Sequence, residues 1–354
     1  MEATFDGEVV RAGRPAREQF YDARGYGRPV DGGLVLAPVE AAHLLFRGDL
    51  GTVTDSRSAS GERLDFRGFL SSAAVSEVAF FVYKDLRDRG FYLSPAGRRD
   101  AGVAGDFVIY PRGQGPWDDG VAYRVGVTGE RATVGVDRLQ ELAGGSEGDG
   151  EREGTGVLAV VDEESELTYL ELGRPSIAGS TRHAVPPVEG DLLSDRVFVW
   201  APPPALHEQA FYGQSLDGEA VVQLSLVEAA HLARRGTLSV TGGAQAVVER
   251  GRAVEGDRFD RRLRAYGALR GAGVVPKTGF KFGADFRTYA DISSADEIGH
   301  SELLVRVLPP THSFAPRDLA LDVRLAGGVR KRLVFALTDP ETGVEWLSVG
   351  RLTP

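Results

Sequence analysis

Cysteine is absent from the 354 residues, which excludes disulfides, thiolate metal sites and a cysteine nucleophile together. Lysine is nearly absent as well. Of 41 basic residues only Lys84, Lys277, Lys281 and Lys331 are lysine, and all the others are arginine. No apolar run approaches the roughly 18 residues that a membrane span needs. The opening Met1-Glu2-Ala3-Thr4-Phe5-Asp6 lacks the basic region and apolar stretch of a secretory signal, so the expectation is an intracellular, cytoplasmic protein. Acids outnumber bases overall, 51 to 41. A net charge of -10 argues against a protein that coats nucleic acid non-specifically, because that activity rests on surplus Lys and Arg neutralising phosphates. It leaves room for a local basic cleft. Acidity with so little lysine matches the composition of a high-salt or high-GC source. What remains, 42% hydrophobic and 26% charged, is ordinary for a folded chain, and the length predicts two domains.

The chain repeats itself. Leu36-Ala-Pro-Val-Glu-Ala-Ala-His-Leu44 matches Leu224-Ser-Leu-Val-Glu-Ala-Ala-His-Leu232. Tyr83-x-x-Leu86-x-x-x-Gly90 matches Tyr266-x-x-Leu269-x-x-x-Gly273, Asp106-Phe107-x-x-Tyr110 matches Asp285-Phe286-x-x-Tyr289, and Ala159 to Asp162 matches Ala336 to Asp339. Four matches in the same order, with offsets drifting from 188 to 177, indicate a duplication with small insertions and deletions. Between the copies, the segment from Arg174 to Gly190 holds three prolines and small polar residues with little periodicity, and reads as a linker. The expected organisation is a first repeat over 1–174, a linker over 175–190 and a second repeat over 191–354.

Periodicity predicts helices over 39–46 and 73–89, the second stopping at Gly90, and over 257–270 and 316–327. Runs rich in β-branched and aromatic residues predict strands over 107–110, 122–127 and 157–161, then over 286–289, 303–308 and 333–337. This order implies a mixed sheet flanked by helices, α/β or α+β, twice over.

The most informative stretch is Lys277-Thr-Gly-Phe-Lys281-Phe-Gly-Ala-Asp-Phe-Arg287-Thr-Tyr289, followed by Gly299-His300-Ser-Glu-Leu-Leu-Val305 and Arg324-Leu-Ala-Gly-Gly-Val-Arg-Lys331-Arg-Leu-Val334. In these motifs the chain resembles the archaeal tRNA-intron splicing endonucleases, of the type in which two fused repeats form one chain that pairs as a homodimer. It differs from the family's more usual His-Ser at Gly327-Gly328. The resemblance implies repeats that each consist of a small α+β N-terminal unit and a restriction-endonuclease-like mixed-sheet unit. It also implies excision of introns from precursor tRNA at bulge-helix-bulge junctions, with no cofactor and no metal.

The family's Tyr, His and Lys fall on Tyr289, His300 and Lys331, as general base, general acid and electrostatic stabiliser. Cleaving RNA through its own 2'-hydroxyl needs those three services. Arg324 opens the lysine motif and by resemblance clamps a bulged base through stacking and cation-π contact; Lys281 and Arg287 are further candidates for the RNA backbone. Taken singly, Tyr289 also reads as a strand tyrosine, His300 as a solvated loop residue in the polar run 291–299, and Lys331 as part of a basic face. Their joint occurrence favours chemistry.

Repeat one lacks the set. Tyr110 matches Tyr289, but no histidine follows before Val121, and Gly154 aligns with Lys331. Residues 141–166 carry nine acids against one base, whereas 250–287 carry ten bases against four acids. Repeat one is therefore expected to be structural. The resemblance assigns Asp162, Glu163, Glu164 and Glu166 to an acidic loop that enters a basic pocket of the facing chain. The alternative from another class is a non-catalytic RNA-binding or assembly subunit. A serine hydrolase of the Ser-x-x-Lys type is excluded, because no lysine has a serine three residues before it, and no Walker, Rossmann or His-Glu-x-x-His motif occurs.

Overall fold

The computed structural model describes residues 2–59, 61–98, 104–144, 154–216, 220–291 and 299–354. The acids at 147, 149, 151 and 153 and most of the polar run 291–299 lie outside them. The chain divides into two compact units. One holds Met1–Arg174 with Ser313–Ala320 and Arg351–Pro354, and the other holds Pro175–His312 with Leu321–Gly350.

In the first unit a six-stranded sheet of short strands (residues 3–64) is followed by helix α1 (Pro38–Phe46, inserted within it), helix α2 (Glu77–Asp88) and five strands: β1 (Leu93–Pro95), β2 (Phe107–Ile109), β3 (Tyr123–Gly129), β4 (Thr155–Val161) and β5 (Leu167–Gly173). β1/β2 and β2/β3 pair antiparallel, β3/β4 parallel and β4/β5 antiparallel. A parallel neighbour demands a crossover, and α3 (Val136–Ala143) makes it.

The second half of the chain repeats this plan. After a four-stranded sheet over 191–225 come α4 (Leu226–Arg234), α5 (Gly243–Glu255) and α6 (Asp257–Gly271), then β6 (Val275–Thr278), β7 (Phe286–Tyr289), β8 (Leu303–Leu308), β9 (Arg332–Asp339) and β10 (Gly343–Leu352). β6/β7 and β7/β8 are antiparallel, β8/β9 parallel and β9/β10 antiparallel, with α7 (Pro316–Gly328) as the crossover. The class is mixed α/β, duplicated, as the motifs imply.

One expectation needs correction. The helix expected over 73–89 starts later: Ala73 takes a left-handed backbone (φ 54), and the helix begins at Glu77, capped by Ser76, whose side chain accepts from the Ala79 amide. The apolar spacing begins before the helix because Ala74 and Val75 pack against the same core without being helical. The segment expected to join the repeats is hydrogen-bonded near its start: Gly179 N–H donates to Ala272 O, Thr181 N–H to Gly273 O and Ser180 N–H to Ala290 O, at 2.8–3.0 Å. Its small residues allow this approach, since a Cβ on Gly179 would lie 2.4 Å from Gly273 O.

Each unit encloses a glutamate carboxylate, at the repeated Val-Glu-Ala-Ala-His motif. In the second, Ser225 caps α4 and Glu228 reaches back to the Ser225 amide, a reciprocal cap. The same carboxylate accepts from Gly213 N–H (2.9 Å) and Lys277 Nζ (3.2 Å). Burial would push the Glu228 carboxyl up, but the Lys277 ammonium, two amides and the Ser225 hydroxyl outweigh it and hold it at about 2. Glu40 in the first unit accepts likewise from Gly27 N–H (2.7 Å) and Ala37 N–H (2.7 Å). Against each carboxylate cage lies a histidine between two tyrosines, His43 with Tyr26 and Tyr83, His231 with Tyr212 and Tyr266.

Burial first, and then Arg87 and Arg47 beside His43 or Arg270 and Arg235 beside His231, lower both imidazoles from 6.5 to about 4. A histidine that resists protonation when folded lets the unfolded chain take up the proton, so stability is lost as pH falls from 6.5 towards 4. The urea midpoint of the wild type should therefore drop across that window. In an H43F/H231F double variant the drop should largely disappear, whatever the absolute stability. A double variant with the wild-type slope would show that other groups carry the effect.

Candidate active site

Strand direction builds the site. β7 runs against β8 and β8 runs with β9, so the C-terminal end of β7 and the N-terminal ends of β8 and β9 share one edge. The register aligns Thr288 with Leu303 and Leu303 with Arg332. Two further hydrogen bonds extend the alignment outward, Glu302 N–H to Thr288 O (3.0 Å) and Arg332 N–H to Glu302 O (3.1 Å). Tyr289 closes β7, His300 and Ser301 lead into β8, and Lys331 immediately precedes β9. Residues distant in sequence are thus brought to one edge by pairing alone.

Lys331 is aimed by the end of α7. Its N–H donates to Ala326 O (3.0 Å), a six-to-one closure with Arg330 in the left-handed position at φ 55. The side chain then donates from Nζ to Ser301 O (2.6 Å), the carbonyl next to His300, and lies 5.6 Å from the centre of the Phe282 ring. His300 itself is exposed. Tyr289 is 6% exposed, its ring edge-on to Phe211 at 6.1 Å, with the Arg287 guanidinium 5.8 Å from the ring centre.

The remaining candidates divide. Lys281 is exposed on the turn Phe280–Phe282, beside a Phe280 that is 86% exposed. Arg324 is exposed on α7, about two turns before Lys331. Neither has a hydrogen bond or ion pair to the other site residues among the described ones. Arg287 faces Lys277 across the β6/β7 ladder and lines, with Glu228 and Lys277, a cleft of about 490 Å³. Lys277, at the head of the motif, is buried on Glu228, Gly213 O and Phe211 O.

The basic run 250–287 is largely committed within the fold as well. Arg252 pairs with Asp260, Arg258 and Arg262 with the buried Asp285, Arg262 also with Glu255, and Arg270 donates to Ala210 O and Phe211 O. Its surplus of charge is therefore not one continuous phosphate-facing surface. Sequence reading passed over Phe211, Glu228 and Arg270 as site residues. For Glu228 a signal existed, since it sits in the repeated Val-Glu-Ala-Ala-His motif.

In the first unit the same edge is empty of this set. Tyr110 is buried and donates to Ser94 Oγ (3.1 Å). At Gly154, which precedes β4 as Lys331 precedes β9, φ is +72 and a Cβ would lie 2.6 Å from Val121 Cγ1 and 2.9 Å from Val121 O. A lysine does not fit there. The acidic turn between β4 and β5 is ordered by its own first residue: Asp162 Oδ1 accepts from the Glu164 and Glu166 amides at 2.9 and 2.8 Å. Glu163 pairs with Arg131, and Glu164 and Glu166 point to solvent. Among the described residues no group of three His, Asp or Glu side chains could hold a metal ion, and no helix is long and apolar enough to cross a membrane.

Comparison with known proteins agrees with this layout. The family described as tRNA intron endonuclease, N-terminal domain, matches twice, at residues 1–69 and 188–250, and the tRNA intron endonuclease catalytic C-terminal domain matches residues 259–346. Relatives named tRNA-splicing endonuclease include those of Haloarcula marismortui, 61% identical, and Natronomonas pharaonis, 55% identical, each over the whole of both chains. That of Methanosarcina mazei is 39% identical over 99% of each. With both domain types in place and identity of this level from end to end, the chain belongs to the tRNA-intron splicing endonuclease family.

Proposed function

We propose that the chain is an endoribonuclease that excises introns from precursor tRNA at bulge-helix-bulge junctions. The observation that carries this reading is the shared strand edge, where Lys331 Nζ lies 2.6 Å from the carbonyl beside His300 and Tyr289 ends the neighbouring strand. Tyr289 takes the proton from the 2'-hydroxyl, whose oxygen attacks phosphorus. His300 protonates the departing 5'-oxygen as the bond from phosphorus breaks, and Lys331 holds the charge that builds on the phosphorane. The ends left are a 2',3'-cyclic phosphate and a 5'-hydroxyl. A free phenol, with a pKa of about 10, is a weak base at neutral pH. The Arg287 guanidinium stands 5.8 Å from the centre of the Tyr289 ring. Arg324, Lys281 and Arg287 contact the RNA, and the exposed Phe280 beside Lys281 suits an unpaired base.

In this reading residues 1–174 form a structural repeat, 175–190 join it to the second, and 191–354 carry the chemistry. An intron has two boundaries and the chain one Tyr-His-Lys set, so the working form is a homodimer with two sites related by a two-fold axis. The ordered acidic turn Asp162–Glu166 supports the dimer contact assigned to it.

In EDTA the purified protein should cut an intron-containing precursor tRNA and leave cyclic phosphate ends; loss of activity restored by magnesium would refute the mechanism. H300A and K331A should each lower the single-turnover rate roughly a hundredfold or more, with RNA binding little changed. Y110F should cleave at the wild-type rate while Y289F loses most activity, and the reverse would put the chemistry in the other repeat. Neutralising Asp162, Glu163, Glu164 and Glu166 together should shift sedimentation from dimer to monomer and lower cleavage in step. A wild-type monomer that excises at both boundaries would overturn the stoichiometry.

A further inference from the structure

The turn before the buried carboxylate is built alike in both repeats. Tyr212 N–H donates to Leu206 O and Tyr26 N–H to Phe20 O; Phe211 N–H donates to His207 O and Gly25 N–H to Tyr21 O. Arg270 Nη1 holds Ala210 O at 2.8 Å, and Arg87 Nη2 holds Arg24 O at 2.8 Å. These bonds make Phe211 the counterpart of Gly25, and both are left-handed, at φ 55 and 67. Glycine adopts that backbone freely. A bulky aromatic residue there is an outlier, and such outliers persist only where the surroundings enforce them, commonly at functional sites.

The ring of Phe211 has a definite destination. It is 5% exposed and meets Tyr289 edge-on at 6.1 Å, with Lys277 Nζ 4.6 Å from its own centre. In the first repeat the space is closed, since a Cβ on Gly25 would lie 2.7 Å from Tyr92 Cδ1. A second exchange accompanies the first. Tyr92 stands opposite Tyr110 as Val275 stands opposite Tyr289, so Lys277 takes the place of Ser94. Ser94 accepts the Tyr110 hydroxyl; Lys277 instead donates to Gly213 O (2.6 Å), Glu228 Oε1 (3.2 Å) and Phe211 O (3.4 Å). The catalytic-type repeat has exchanged a hydrogen bond from its tyrosine for a ring packed against it and a lysine that fastens the turn bearing that ring.

We propose that Phe211 is a positioning residue for Tyr289, its left-handed turn, clamped by Lys277 on Glu228, pressing the aromatic ring against the tyrosine so that the phenol is oriented by packing rather than by an internal hydrogen bond. The inference rests on the reading of Tyr289 as the base.

The test uses the full-length protein and an intron-containing precursor tRNA in single-turnover cleavage, with RNA binding measured separately. F211G keeps a residue suited to the backbone and removes only the ring. Its rate should fall roughly tenfold to a hundredfold, the scale of a misplaced reacting group, while the dissociation constant for RNA stays within about twofold. F211Y, which keeps the ring, should restore the rate, and in a Y289F background F211G should cost nothing more. A folded F211G that cleaves at the wild-type rate, or that slows Y289F further, would overturn the proposal. Should F211G fail to fold, F211L decides: slower cleavage with unchanged RNA binding supports the proposal, and a wild-type rate rejects it. A fully active Y289F would sink the underlying reading, whereas an inactive Y289F beside a fully active F211G sinks only the role given to Phe211.

Discussion

The direction in which β7, β8 and β9 pair is the constraint on which the proposed site depends. One antiparallel and one parallel neighbour bring an outgoing strand end and two incoming ones to the same edge, and the parallel step is possible only because α7 returns the chain across the sheet. The helix also ends in a way that matters. Arg330 occupies the left-handed position that glycine usually fills, at Gly90 and Gly273 for instance, and the reversal delivers Lys331 to the carbonyl beside His300. A register slip of one residue in either pair would turn the site residues to the opposite face of the sheet.

The two repeats share a second constraint, a buried carboxylate that satisfies backbone amides a sheet or helix would otherwise leave unpaired. Glu40 in the first unit accepts from the Gly27 and Ala37 amides, and Tyr26 and His43 of the same unit are hydrogen-bonded to each other. Glu228 adds a lysine. One partner of such a pair cannot be removed without leaving the other charged and buried, which is costly. Lys277 is thereby fixed as part of the scaffold, although it stands in the same short motif as the exposed Lys281.

Charge is distributed accordingly. Much of the arginine in 250–287 neutralises buried or half-buried carboxylates, Asp285 above all, which accepts two guanidinium contacts and the Val307 amide at the β7/β8 junction. Its counterpart Asp106 accepts the Val127 amide in the first unit. The acidic chain thus ties strand junctions with charged hydrogen bonds and leaves Lys281 and Arg324 exposed.

The sequence by itself determined the duplication, the mixed α/β class, the family and the three motifs, because local spacing and short ordered matches encode them. Strands 286–289 and 303–308 and the helix from Asp257 were legible from periodicity; the late helix start at Glu77 was not, since Ala74 and Val75 face the core without being helical. Which side chains meet was decided by tertiary structure alone. Nothing in the spelling of Lys277 and Lys281 separates the buried one from the exposed one. Nothing in a phenylalanine 78 residues before Tyr289 announces a left-handed backbone or a ring against that tyrosine. Those facts arise from where the β6/β7 ladder and the 205–213 turn come together, and contact between distant segments is fixed by packing and by the direction of strand pairing, which no local pattern records.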